Sequence, residues 1–117
     1  MKDFKKLIIW ERGVEIVKET YNLSKLLPSE EKFALISQIT RAAVSIPSNI
    51  AEGSSRRSKK EYFRFIEIAL GSAFELETLL LIINELNMIE HSTTEKLYNL
   101  IVEEQKMLNS FLSTLNN

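Results

Sequence analysis

Five cations crowd into nine residues just beyond a glycine and two serines: Arg56, Arg57, Lys59, Lys60 and Arg64 follow Gly53, Ser54 and Ser55. Guanidinium and ammonium groups at this density can meet phosphate oxygens, and a helix starting among them adds partial positive charge on its first backbone N–H groups. The chemistry on offer is anion binding, RNA backbone included, through shape and charge and with strong salt dependence. Tyr62, Phe63 and Phe65 fall at helical spacing as core residues do, so the sequence supplies no base readout. The alternative is that the cations only solvate an exposed turn, and both readings stay open.

Other chemistries find no support, and the sequence predicts no catalytic residue, metal site or cofactor. The single histidine, His91, falls in a predicted loop without the Glu-x-x-His partners that a di-metal bundle needs. Glu75 and Glu77 are two apart on a predicted helix and point away from each other, which excludes a paired acid and base. Gly53 is followed by SSRRSKKE, without the second glycine before Lys-Ser/Thr that a phosphate-binding loop requires. Cysteine is absent, which removes disulfides, thiolate ligands and a thiol nucleophile.

Four helices must position these groups. The first is predicted over residues 3–26, with Leu7, Trp10, Val14, Val17 and Tyr21 along its apolar face, ending before Pro28. The second begins with Ser29 as cap and runs to residue 51 or 52. Its apolar stripe is Ile36, Ile39, Ala43, Ile46 and Ile50, and Arg41, Ser45, Ser48 and Glu52 form a polar one. Pro47 deletes a hydrogen bond to Ala43 and should bend this helix, and Gly53 is expected to end it in the left-handed conformation. Ser58 and Glu61 form a capping box for the third helix, residues 59–86. Ser92 and Glu95 are read as another box for the fourth, residues 93–115, whose stripe is Leu97, Leu100, Ile101, Leu108, Phe111, Leu112 and Leu115. Arg41, Asn49, Glu52 and Glu75 are assigned structural polar roles, with Arg41 expected to pair with a carboxylate. Gly71 with Ser72 reads as a close helix crossing.

Helix three is apolar on two sides. Tyr62, Phe65, Ile66, Ala69, Ala73, Leu76, Leu80 and Ile83 make one stripe; Phe63, Leu70, Phe74 and Leu81 make another, rotated around the axis. Two faces need two partners, so the second stripe is a candidate oligomer interface.

The 117 residues fit a single domain, an all-α antiparallel up-down-up-down four-helix bundle. Net charge is −1, which argues against a protein basic over its whole surface. The distribution is uneven: from Arg41 to Arg64 there are six cations and two anions, a net of +4, and the remainder sums to −5. Such polarity can orient a polyanion or an acidic partner. No apolar run reaches the ~20 residues of a membrane span, and the beginning is charged too early for a signal peptide. The default expectation is a cytoplasmic protein with no membrane contact.

Three motifs at fixed spacing carry a resemblance: AAVSIPSNIAEG; Arg56, Ser58 and Glu61 as R-x-S-x-x-E; and IALGS with ELE, from Ile68 to Ser72 and Glu75 to Glu77. Together they resemble the four-helix bundle family, also called the 23S rRNA intervening-sequence protein family. The similarity extends from about Trp10 into the last helix. Relatives commonly carry an Arg pair where this chain has Thr40-Arg41, and a glycine-rich turn where it has Ser55 and Arg57. The resemblance implies a bacterial protein without established enzymatic activity, one four-helix bundle per protomer, and a homo-pentameric ring. It also implies two kinds of partner: RNA, or a protein such as the reverse transcriptase that related accessory proteins serve. An adaptor of that second kind would dock an acidic protein surface.

Overall fold

The computed structural model describes residues 3–116. Four helices account for most of them: α1 (Ile8–Ser24), α2 (Leu35–Ser54), α3 (Lys59–Glu85) and α4 (His91–Leu115). Each packs on the next and α4 closes back on α1, the neighbour pattern of an up-down-up-down bundle. At 1.5 Å per residue α3 should span ~40 Å. The long axis of the molecule is 44 Å, so α3 runs the length of the bundle and its first turn lies at one end.

The best-patterned helices are α2 and α3. Ile39, Ala42, Ala43, Ile46 and Ile50 are fully buried on α2, as are Ile66, Ala69, Ala73, Leu76, Leu80 and Ile83 on α3. Alanines in both stripes keep the inward faces thin. Midway along, the Ser45 and Ser72 hydroxyls lie 2.8 Å apart across the α2–α3 seam, and Asn49 donates to the Ser45 carbonyl and hydroxyl at 2.8 and 2.9 Å. Pro47 is buried within α2, which continues through it as one helix.

Helix α1 is turned about one residue from the expected register. Its buried positions are Ile9, Gly13, Ile16, Thr20 and Leu23. Trp10 and Val17 are half-buried at the flank and Tyr21 is exposed. The inward face includes a glycine and a threonine, and at the glycine α4 brings a carboxylate close. Glu104 is completely buried, and a Cβ on Gly13 would lie 3.4 Å from its Oε2 and equally close to Ile46 and Pro47.

Helix ends also differ from expectation. Residues 4–6 form a separate 3-10 turn, with Asp3 accepting from the Lys5 N–H at 3.1 Å. Ser29 opens another short 3-10 turn, and α2 starts only at Leu35. The Ser92/Glu95 box does not form: α4 begins at His91, after Glu90. Contacts between helices fix that corner instead. Thr94 donates to Asn84 Oδ1 at 3.1 Å, and His91 Nε2 lies 3.0 Å from the Asn84 carbonyl oxygen.

Neither Glu104 oxygen has a hydrogen-bond partner among the described residues. Burial pushes its carboxyl up to about 8, against the pull of Arg12 on α1 and with the push of Glu103. The folded protein therefore holds a proton that the unfolded chain releases. Stability should be fullest below the ordinary carboxylate pKa and fall by ~1.4 kcal/mol per pH unit as pH rises toward the folded value. Urea unfolding of Glu104→Gln from pH 5 to pH 8 should lose most of that slope. An unchanged slope would show that Glu104 is not its source.

Candidate nucleic-acid interface

The position of the basic turn is set by what Gly53 lacks. No described glycine has a positive φ, and α2 runs through Gly53 to Ser54. A Cβ on Gly53 would come within 2.8 Å of the Phe65 Cβ and 3.0 Å of Tyr62 Cδ1. Gly53 is therefore a point of close approach between α2 and α3, not a left-handed cap. The terminal carbonyls are taken by the serines: Ser54 donates to Ala51 O at 2.7 Å and Ser55 to Glu52 O at 2.6 Å. Gly71, expected at a close crossing, is exposed with nothing within 4 Å of where its Cβ would be.

Residues 55–58 then connect α2 to α3. Ser58 caps α3 by accepting from the Glu61 N–H at 3.1 Å, and the Glu61 carboxylate lies 3.3 Å from the same hydroxyl. One of the free N–H groups expected to attract an anion is thus already satisfied, beside a negative charge. Anion binding here falls to side chains.

Those side chains divide into two groups. Arg56 is held: it donates to Glu52 at 2.9 Å, and its guanidinium lies 4.8 Å from the Phe65 ring centre. Arg57, Lys60 and Arg64 are exposed and make no ion pair or hydrogen bond among the described residues. Lys59 is exposed beside them. Arg41 lies outside this group, because it is paired with Glu75 of α3 and also donates to Gln38 at 3.1 Å. Both members of the Arg41–Glu75 pair are about half exposed, so solvent screens it and its contribution to stability is small. Glu77 accepts from Gln105 of α4 at 2.7 Å, so Glu75 and Glu77 serve different helix contacts.

Folding brings α4 to the basic turn, which the sequence did not reveal. A cleft of about 540 Å³ opens between the turn and the end of α4, with Arg56, Arg57 and Lys59 on one side and Phe111, Thr114 and Leu115 on the other. Tyr62 also lines it, its ring centre 5.5 Å from that of Phe111. Burial raises the Tyr62 pKa, keeping its hydroxyl protonated. Periodicity could not separate Phe111 from the rest of the α4 stripe.

The second face of α3 divides as well. Phe63 and Leu70 are half-buried against the core, whereas Phe74 is 53% and Leu81 45% exposed. Among the described residues, no group of three or more His, Cys, Asp or Glu side chains could hold a metal ion, and no helix is long and apolar enough to cross a membrane.

Residues 5–110 match the 23S rRNA-intervening sequence protein family, and the chain belongs to that family. The fold is similar to the crystal structure of a protein with unknown function from the S23 ribosomal protein family of Bacteroides thetaiotaomicron VPI-5482. That similarity has a TM-score of 0.83 at 29% identity and covers 90% of this chain and 98% of the other. No curated protein matches the chain.

The Gly53 contact yields a direct test of how the turn is positioned. In Gly53→Ala, overpacking of about 1–3 kcal/mol should outweigh the ~1 kcal/mol gain in helix propensity. Thermal unfolding should show a net loss. A stabilised variant would mean that α2 and α3 separate freely here.

Proposed function

We propose that this member of the 23S rRNA-intervening sequence protein family is a non-catalytic RNA-associated protein whose α2–α3 turn holds RNA phosphates. The observation that carries this reading is the set of exposed, unpaired cations, Arg57, Lys60 and Arg64, beside Lys59 at one end of a bundle whose net charge is −1. Cations that stabilise a fold are normally paired, as Arg41 and Arg56 are here. Unpaired ones in a row are available to a polyanion. The family description names ribosomal RNA, which favours RNA over other polyanions.

Assembly multiplies the effect. Phe74 and Leu81 form an exposed apolar stripe on α3. The proposed partner is a second copy of this chain, in the five-membered ring that the family resemblance implies. A head-to-tail interface that closes into a ring would repeat the basic turn around the assembly and add avidity to a weak phosphate contact.

Replacing Arg56, Arg57, Lys59 and Lys60 together by Gln should abolish RNA binding at low salt while leaving the helical circular dichroism spectrum unchanged. Arg57→Gln alone should reduce the slope of log affinity against log salt by about 0.7 for a single strand. Binding that survives the fourfold change, or no binding by the wild type, would leave the turn as solvated surface and favour an adaptor for an acidic protein.

Light scattering tests the assembly. The wild type should have a multiple of the 13.5 kDa protomer mass, and Phe74→Glu with Leu81→Glu should reduce it to one protomer. A wild-type monomer at micromolar concentration would refute the ring.

A further inference from the structure

Phosphate binding does not explain the apolar wall of the cleft. Cations alone suffice for an RNA backbone, yet the cleft of about 540 Å³ is lined by Tyr62, Phe111 and Leu115 as well as by cations. That volume is within the roughly 300–1,000 Å³ of small-ligand sites. Phe111 is only half-buried, and its ring is tilted 60° to that of Tyr62, so the pair does not close the recess by stacking face to face. Arg56 is committed to Glu52 and Phe65, whereas Arg57, which also lines the cleft, is exposed and makes no ion pair or hydrogen bond among the described residues. An occupant matching both walls has a flat apolar body attached to an anion.

We propose that the cleft admits one unpaired RNA base, packed against Phe111 and Leu115, while a flanking phosphate meets Arg57. This rests on the RNA reading above and adds selectivity to it. Bases within a duplex are stacked and cannot enter, whereas single strands expose theirs to aromatic side chains. The protein should therefore prefer single-stranded RNA, although a duplex of equal length carries twice the charge.

The test compares an eight-nucleotide uridine strand, an eight-base-pair RNA duplex and polyglutamate of matched charge, with affinities measured by fluorescence anisotropy at fixed salt. Wild type should bind the single strand about tenfold or more tightly than either competitor. Thr114→Trp and Ser55→Trp fill the cleft from opposite sides at exposed positions, and each should abolish that preference. Equal binding of strand and duplex, equal binding of polyglutamate, or a preference retained in both folded Trp variants would overturn base entry while leaving phosphate binding intact. Failure to bind any RNA would overturn the RNA reading as well.

Discussion

The close approach of α2 to α3 at Gly53 is the constraint on which the rest of this end of the bundle depends. With no Cβ at Gly53, the α2 backbone can come against the Phe65 Cβ and the Tyr62 ring. Two helices held this close can be joined by the short segment 55–58, and a segment that short has little interior in which to place side chains. Four residues from Arg56 to Lys60 are cations, and all are exposed. The Ser54 and Ser55 hydroxyls take α2 carbonyls and Ser58 caps α3, so most of the turn's local polar requirements are met without the cations. Arg56 returns to the fold through Glu52 and Phe65. Packing thus fixes the place of the charge while leaving Arg57 and Lys60 without an ion pair or hydrogen bond among the described residues.

Patterning made the fold class and the two central helices legible. The α3 stripe from Tyr62 to Ile83 and the Ser58 cap could be read directly because apolar spacing and cap chemistry agreed. Helix α1 could not be read that way. Its inward face includes Gly13 and Thr20, which any apolar count places outside, and Gly13 lies against Glu104, some ninety residues later. The same difficulty affected the glycines. Gly53 looks like a terminator and is a contact point; Gly71 looks like a contact point and faces open space. A glycine's sequence neighbours do not reveal what approaches it from another helix.

The candidate site was legible in part for the same reason. A run of cations is local, so Arg56, Arg57, Lys59, Lys60 and Arg64 could be named from sequence. The cleft is not local: Phe111, Thr114 and Leu115 reach it only because α4 returns along α3 to the same end. Membership of the 23S rRNA-intervening sequence protein family and the exposed stripe at Phe74 and Leu81 are compatible with a repeated basic rim, in which each weak contact gains from its neighbours.

The central claim is that RNA meets this protein at the α2–α3 turn. Ultraviolet crosslinking of the wild type to a single-stranded RNA, followed by mass spectrometry of the peptide adducts, locates the contact directly. The account predicts adducts concentrated between Ser54 and Phe65, with a second group around Phe111. Adducts confined to the opposite end of the bundle, around Asn87 to Lys96, would contradict it.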